Sequence, residues 1–499
     1  MEAAASVEVI ESVRPFLAVA VALAAAAAIL LLHGRDNLRD MATLCASVVM
    51  FLIVASMAPV VLAGGTVEYT MFQILPGADF AFRVDALGMV FASVSSFLWM
   101  AAAVYSIGYM RSLEEHAQTR FFACFAVSLA AAVGGAFAAN LFTLVIFYEA
   151  LSLVTYPLVY HHEDEEAWRG SRTYLVYLAG ASKTALLAAL ALTYYLVGSL
   201  DFVPGGLLDG VAASPLLLSV IYLCYLAGFA KAAIMPLHAW LPSAMVAPTP
   251  VSALLHAVAV VKMGVFCVLR VIFNVFGVGL MENLSLGVAT AYLVSFTIIT
   301  ASIYALTRDD LKARLAYSTV SQLSYIILGA ALLSSSAMVG GIVHIAGHAM
   351  SKITLFFCAG SIYCASRRKK ISQLAGIGRK LPWTMAAFFI ASLGMIGIPP
   401  SGGFISKWYL VLGAVEAHEL VFLVVLLVST VLNAAYFLPV TYTAFFEKEN
   451  AGQDRDASEP KEIREIPLVA APLVATALLS LLMGLYPGYF LTLARGVVG

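Results

Sequence analysis

Six ionisable residues lie within long apolar stretches of this 499-residue chain. An ionisable group at bilayer depth costs about 2.5–3.5 kcal/mol on insertion scales, and such groups commonly mark ion or proton pathways. One lysine near a helix end could instead extend its amine to the interface, but several lysines near helix centres, together with an acid, favour a pathway for protons or cations. The six residues are Lys183, Lys231, Lys262, Lys352, Lys407 and Glu149.

Glu149 is the only carboxylate placed deep in any of the apolar stretches. Lys231 is its expected partner, because a buried charge without a counter-charge is costly. A desolvated lysine exchanges its proton more readily than one in water, so moving the acid away from the lysine would drive the proton onward. A static ion pair that joins two helices is the alternative interpretation.

Histidines extend this set. His344, His348 and Lys352 are spaced at i, i+4 and i+8, so they share one face of a helix. Histidine titrates near neutral pH and can relay protons, although each histidine alone could form only a hydrogen bond between helices. The same spacing could hold a metal, but no third ligand is near in the sequence. We therefore expect no metal site here.

Further candidates flank this face. His238 follows Lys231 by seven residues, and His256 and Lys262 share the next apolar stretch. Lys407 would end the route. Lys183 has no evident partner, so its place in the pathway stays open.

The composition is that of a membrane protein. The chain is 62% hydrophobic and 11% charged, with a mean hydropathy of +0.94, whereas soluble domains are about 25% charged. A net charge of −1 and the lack of a basic stripe argue against nucleic acid as a partner. The six cysteines form no CxxC pair. We also find no nucleotide loop, hydrolase elbow, haem ligand or cluster motif. We thus expect no cofactor and no redox or hydrolytic site in this chain.

The apolar stretches that can cross a hydrocarbon core of roughly 30 Å predict an all-α membrane protein with about fourteen transmembrane helices. Basic residues concentrate in the loops that follow odd-numbered helices, and the opposite face holds only Arg14, Arg83, Arg270 and Arg495. Lysine and arginine favour the cytoplasmic side, so both termini should face away from the cytoplasm. The predicted helices lie near 14–33, 40–63, 86–110, 120–138, 140–160, 172–198, 214–242, 251–278, 286–306, 314–333, 337–365, 383–414, 420–445 and 466–490.

Two blocks of five helices have almost equal length. Since five is odd, the second block begins on the opposite side, which predicts two inverted repeats with ion sites at broken helices. Pro236 in the first block and Pro399 and Pro400 in the second should interrupt their helices, although proline kinks are also common in membrane helices. The predicted units are 1–119 with three helices, 120–278 and 279–445 as the two repeats, and 446–499 with a cytoplasmic linker and the last helix.

One charged turn, HHEDEE at 161–166, connects two predicted helices. It could cap a proton entrance, but a solvated polar turn is the favoured interpretation.

Several segments resemble the antiporter-like family shared by respiratory complex I, membrane-bound hydrogenases and multisubunit Mrp sodium/proton antiporters. They include YSIGYM, the stretch around Glu149, the stretch from FAKAAIMPLHAWLP to VVKMGV, and GIPPSGGFISKW. They cover helices three to twelve in the expected order. The matching segments are 105–110, 140–159, 229–265, 308–325, 344–362, 374–383 and 397–408.

This resemblance implies roles for the candidate residues. Glu149 and Lys231 match the acid–lysine couple of the family, and Lys407 matches its terminal lysine. The predicted helices include none like the long lateral helix of the largest complex I member. The D-type subunit of Mrp complexes is therefore the favoured relative. The connecting relay and the central hydrophilic axis are matched by His256, Lys262, His344, His348 and Lys352.

The resemblance further implies a proton-conducting subunit of a multisubunit sodium/proton antiporter in a prokaryotic inner (plasma) membrane. Its partners would be other membrane subunits, with protons and sodium as the transported ions. The alternative is a proton-pumping subunit of a redox complex, such as a membrane-bound hydrogenase, formate hydrogenlyase or a complex I-like enzyme. A third possibility is a scaffold in which buried charges only pair helices.

Overall fold

The computed structural model describes residues 8–448 and 462–499, which fold mostly into helices. The polar linker predicted at the start of 446–499 lies largely outside these residues. The N-terminal part is built from β1 (Val9–Glu11), α1 (Arg14–Leu31), α2 (Asp36–Leu62), β2 (Thr66–Leu75), β3 (Ala78–Val84), α3 (Ala86–Ser112), α4 (Gln118–Ala136) and α5 (Leu141–Val159).

The middle of the chain contains helices with irregular hydrogen bonding. It consists of α6 (Glu165–Ala181), α7 (Leu187–Val197), α8 (Pro215–Gly228), α9 (Trp240–Ser243), α10 (Thr249–Val251), α11 (Val260–Arg270) and α12 (Gly277–Asn283). A π-helical turn, Ser182–Leu186, joins α6 and α7 into one long helix. Two more π-helical segments, Ser252–Ala259 and Val271–Phe276, join α10, α11 and α12.

The C-terminal part surrounds one long central helix. It consists of α13 (Leu286–Leu306), α14 (Leu311–Ala331), α15 (Ser335–Ser366), α16 (Pro382–Ile396), α17 (Gly402–Glu416), α18 (Leu420–Phe446), α19 (Pro467–Leu485) and α20 (Gly488–Val498). The most apolar stretch of α15 is wholly buried inside the protein. It packs against α3, α14, α16, α17 and α19, so side chains on every face of α15 meet protein.

Eleven helices among the described residues are long and apolar enough to cross a membrane. The chain is therefore a mostly helical, multi-pass membrane protein, as predicted. The predicted span at 314–333 corresponds to α14, which falls outside that set of eleven. Its serines and Gln322 are fully buried, because this helix meets protein instead of lipid.

Both helices that were expected to break are interrupted. α8 ends at Gly228 and regular helix resumes only at Trp240, with Pro236 between them. α16 ends at Ile396 and α17 begins at Gly402, with Pro399 and Pro400 between them. Each interruption falls in the fourth helix of the five-helix block that was predicted to contain it.

The sequence did not predict the small sheet formed by the three strands. β1 pairs in parallel with β2, and β2 pairs antiparallel with β3, with Val67 opposite Val84. The turn between β2 and β3 uses Gly77 at φ +70°, a left-handed conformation that suits glycine. Phe82 on β3 packs against Phe147 of α5, with ring centres 5.8 Å apart. The sheet thus contacts the helix that carries Glu149.

A buried ion pair joins α3 to α11. The guanidinium of Arg270, whose side chain is 2% exposed, donates two hydrogen bonds of 2.5 and 2.6 Å to the Asp85 carboxylate. The same carboxylate caps α3 by accepting from the N–H of Gly88 at 2.9 Å. The sequence analysis counted Arg270 with the few basic residues of the non-cytoplasmic face, and in the structure it ends α11 within the protein. One acid therefore anchors two helices.

We expect Arg270→Met to lower the free energy of unfolding by about 3 kcal/mol, because it strands a partly buried carboxylate. This is the low end of the range for buried pairs, since the side chain of Asp85 stays 27% exposed. The control is Arg169→Met, which removes a pair to Glu165 that is 77% exposed on both sides and should cost at most about 0.5 kcal/mol. The midpoints of thermal unfolding of the two purified variants test this, and equal midpoints would contradict it.

Candidate functional site

Lys231 is fully buried in a 3-10 turn, Ala230–Ala232, just after α8. Its amine donates to the carbonyl oxygen of Tyr148 and lies 3.4 Å from the centre of the Tyr148 ring. The backbone N–H of Lys231 donates to the Tyr148 hydroxyl at 3.2 Å. Close approach of α11 holds this turn, since a Cβ at Gly264 would lie 2.2 Å from the backbone of Ala232. One tyrosine of α5 thus binds both the backbone and the amine of this lysine.

Glu149 lies next to that tyrosine in α5 and is half-buried. Its buried Oε1 atom has no hydrogen-bond partner among the described residues, and no ion pair there joins it to Lys231. The predicted direct pair is therefore not formed in this structure, because the amine binds the backbone and ring of the preceding residue. Tyr148, which binds the amine, and Glu149, which carries the carboxylate, are nevertheless consecutive residues of one helix.

Lys262 and His348 make the central contact of the site. The amine of Lys262 on α11 lies 2.6 Å from Nδ1 of His348 on α15. Both side chains are buried, at 0% and 2% exposure. The other ring nitrogen of His348, Nε2, has no partner among the described residues. The ring therefore has one nitrogen bound to an amine and one nitrogen available to a water or a proton.

The His344 ring continues from this contact along the same face of α15. The rings of His344 and His348 are 5.9 Å apart. His344 Nδ1 bonds the hydroxyl of Ser406 at 2.8 Å, and Nε2 bonds Oε1 of Gln322 at 3.0 Å. The ring also stacks on Tyr325, with centres 5.5 Å apart. The i, i+4 spacing thus places two histidines in series, as the helical period requires.

Lys407 lies at the second broken helix. Its amine donates to the carbonyl oxygens of Met395 and Ile396 at 2.9 and 3.0 Å. These are terminal carbonyls of α16, which have no partner within their own helix and carry its negative dipole end. The amine also lies 5.0 Å from the centre of the Tyr325 ring. Tyr325 therefore contacts both His344 and Lys407.

The remaining candidates are placed differently. Lys352 is buried, but its amine donates to α14, to the Leu315 carbonyl at 3.0 Å and to the Ser318 hydroxyl. His238 is half-buried near the first break, with Nδ1 3.3 Å from the Pro236 carbonyl. The side chain of His256 lies outside the described residues.

Lys183 does not belong to the buried set. It lies in the π-helical turn between α6 and α7, and its side chain is exposed. An exposed lysine on an apolar helix can extend its amine toward the interface. Its exposed side chain separates Lys183 from the buried candidates.

Three residues of the site were not singled out as candidates from the sequence. Each can be recognised only once the helices are packed, since a tyrosine or serine in an apolar helix is common. Their shared property is a contact with one of the ionisable candidates. They are Tyr148, Tyr325 and Ser406. Gln322, which the sequence offered as a possible water-bridged link in the pathway or as polar packing, bonds directly to His344.

The chemistry that this arrangement permits is proton exchange between neutral acceptors. Lys231, Lys262 and Lys407 bind carbonyl oxygens or an imidazole, and no carboxylate pairs with them in the described part of the chain. A proton can leave such an amine without separating an ion pair. Imidazole and hydroxyl groups at hydrogen-bond distance provide the next acceptors.

Comparison with known proteins identifies the family. A model described as "NADH:quinone oxidoreductase/Mrp antiporter, TM" matches residues 138–433. A second, described as "NADH-Ubiquinone oxidoreductase (complex I), chain 5 N-terminus", matches residues 76–122. The chain belongs to the NADH:quinone oxidoreductase/Mrp antiporter family. The resemblance stated from sequence motifs is confirmed, and all the buried lysines above lie within the larger match.

Relatives within this family come from different complexes. The chain is 34% identical to NADH-quinone oxidoreductase subunit N of Desulforudis audaxviator, over 73% of this chain and 72% of that protein. It is 32% identical to a probable K(+)/H(+) antiporter subunit of Rhizobium meliloti, over 90% of this chain and 47% of that protein. The chain therefore spans less than half of the second relative.

The fold matches a chain of the solved Mrp complex from Dietzia sp. DQ12-45-1b. The TM-score is 0.87 at 21% identity, and the match covers 98% of this chain and 97% of the other. At this identity the match shows a shared fold. The family's members are subunits of multisubunit membrane complexes, which makes other membrane subunits the expected neighbours of this chain.

Proposed function

We propose that this chain is the ion-translocating, proton-conducting subunit of a multisubunit Mrp-type cation/proton antiporter. The observation that carries the proposal is the bond between Lys262 and His348, from which a buried file of polar groups leads through His344 and Tyr325 to Lys407. Its family membership and the antiporter relative support the same function. Sodium is the proposed exchanged cation, with potassium as the variant that the relative's name suggests.

The proton route in this proposal has two parts. Glu149 and Lys231 form the first part, where the amine moves between the Tyr148 carbonyl and the neighbouring carboxylate. Lys262, His348, His344 and Lys407 form the second part. His238, His256 and Lys352 connect or flank these parts. The two broken helices, at Pro236 and at Pro399 and Pro400, supply unwound backbone beside the lysines.

A cavity of about 450 Å³ supports an entrance near the first break. His162, Asp164 and Glu166 of the charged turn line it, together with Lys312, Pro242 and the segment 245–249. Asp164, Glu166 and Asp310 give this lining acidic groups that attract cations, and Lys312, Arg368 and Lys369 give it basic ones. We propose that the open end of this cavity faces the cytoplasm. In this proposal about fourteen helices of the chain cross the plasma membrane of a prokaryotic cell, and both termini lie on the non-cytoplasmic side.

We propose that the chain is divided into the four units that were predicted from the sequence. Residues 1–119 form an N-terminal unit of three helices, 120–278 and 279–445 form two inverted repeats, and 446–499 hold the linker and the last helix. The matched position of the two interrupted helices supports the repeat. Pro399 and Pro400 are exposed, and we propose that another membrane subunit of the complex covers the surface around them.

A second function rests on the relative from NADH-quinone oxidoreductase. In that case electron transfer in neighbouring subunits of a redox complex would drive protons along the same file of residues. Analysis of the purified native complex for flavin and iron–sulfur clusters separates the two functions. The antiporter proposal expects neither.

We expect Lys231→Ala to abolish sodium-dependent proton movement when the complex is assembled. Inverted membrane vesicles carrying a pH gradient are given sodium chloride, and dissipation is followed with a pH-sensitive dye. Potassium chloride in parallel identifies the cation. The amount of each variant in the membrane is measured first, so that loss of assembly is distinguished from loss of transport. Dissipation at the wild-type rate by an assembled Lys231→Ala complex would refute the route.

A further inference from the structure

A second cluster of titratable side chains lies apart from the lysine file. The turn between α3 and α4 carries Glu115 and His116, and the turn between α5 and α6 carries His161 and His162. The possible ligand atoms of Glu115, His116 and His161 all lie within 4.8 Å of one another. None of these residues has a part in the proposed proton route except His162, which lines the cavity.

The distances at Glu115 are those of groups around a common centre. Its Oε2 atom lies 3.7 Å from Nε2 of His161 and 3.7 Å from Nδ1 of His162. Both distances are longer than a hydrogen bond. Ligand atoms bound to one tetrahedral zinc ion at 2.0–2.1 Å lie roughly 3.3 Å apart. A small side-chain rotation therefore brings these atoms to coordination distance.

His161 gives an independent indication of a ligand. Its side chain is 0% exposed, and both ring nitrogens lack a hydrogen-bond partner among the described residues. A buried polar atom without a partner costs about 1–3 kcal/mol, and such an atom in a native protein calls for an unseen water or ion. The Glu115 side chain is 13% exposed, and its Oε2 atom lies 3.7 Å from Nε2 of the His161 ring.

We propose that Glu115, His116, His161 and His162 form a binding site for one divalent transition-metal ion with the coordination chemistry of zinc. Three imidazoles and one carboxylate match the nitrogen and oxygen donors that zinc takes in proteins. Sodium prefers oxygen ligands, so this site is distinct from any site for the exchanged cation. The ion would join the α3–α4 turn to the α5–α6 turn.

Charged groups of both signs surround the cluster. The guanidinium of Arg120 pairs with Glu163 and donates to the His161 carbonyl at 3.3 Å. It thus contacts the backbone of His161 instead of its ring. Gln118 binds the carbonyl of Glu115 at 3.1 Å, which fixes the backbone of that ligand. The sequence predicted no metal site in this chain, from the spacing of His344 and His348 and from the cysteines, and this proposal departs from that prediction.

Binding of Zn²⁺ to the purified complex, freed of metal by a chelator, tests the site. Calorimetric titration should show one more tight Zn²⁺ per chain in the wild type than in His116→Asn combined with Glu115→Gln. Each single change should weaken that binding at least about ten-fold. His116 is exposed, so its replacement leaves the fold intact. His418→Asn, at an exposed histidine far from the cluster in sequence, is the control and should bind as the wild type.

Co²⁺ provides a second readout, since an ion held by nitrogen and oxygen donors in tetrahedral geometry absorbs strongly in the visible range. The wild type and His418→Asn should show this absorption, and the double variant should not. Equal stoichiometry and affinity of Zn²⁺ in the wild type and the double variant would overturn the proposal. So would loss of binding in His418→Asn alone, because the ion would then be held by other residues.

Discussion

Replacing Lys262 by methionine should reduce cation-driven proton movement about 100-fold or more, the usual contribution of one proton-transferring group. Methionine has a similar length and no titratable group, so the fully buried side chain keeps its volume but loses its bond to His348. The Nδ1 atom of His348 then has no amine from which to take a proton. Dissipation of a pH gradient by inverted vesicles measures the change.

Lys183→Met is the matched control for this prediction. It makes the same chemical change in another lysine of an apolar helix, but this side chain is exposed. It should leave the transport rate unchanged. An assembled Lys262→Met complex that transports as fast as Lys183→Met would show that the contact between Lys262 and His348 only holds helices together.

The difference between these two lysines shows where the sequence stops being informative. Both lie in apolar stretches of similar composition, and the cost of a charge in lipid applies equally to both. The two side chains differ in the direction in which they point. Lys183 lies on the outer surface, whereas Lys262 is enclosed by protein. That direction depends on how the helices pack, which one sequence does not specify.

The helical period predicted which residues share a face of one helix, but it did not predict contacts between helices. The spacing of His344 and His348 required a shared face, and their rings are indeed 5.9 Å apart. The pair between Glu149 and Lys231 was inferred from charge alone. In the structure a turn directs the amine to Tyr148, because hydrogen bonding to a nearby carbonyl can replace an ion pair.

Long-range features were missed for the same reason. Asp85 and Arg270 lie 185 positions apart, and nothing in either local sequence points to the other. The strands β2 and β3 had a local signal, the Pro76–Gly77 turn between β-branched and aromatic residues. That signal is outweighed in the sequence by the flanking apolar stretches, which are long enough for membrane helices.

Lys407→Arg should reduce transport about as strongly as the change at Lys262 while preserving stability. Arginine keeps a positive charge and N–H donors for the carbonyls of Met395 and Ile396, but its guanidinium does not release a proton. A vesicle assay and a thermal unfolding curve of the same preparation separate the two properties. Wild-type transport by this variant would show that Lys407 only caps the end of α16.

Lys407→Met completes the comparison, because it removes both the proton carrier and the cap. Two terminal carbonyls of α16 then lose their partner, at a cost of about 1–3 kcal/mol each, so this variant should unfold at a lower temperature than Lys407→Arg. If both variants lose transport and only the methionine variant loses stability, the lysine has two separable roles. The broken helix requires a donor for its free carbonyls, and a lysine is the donor that can also exchange a proton.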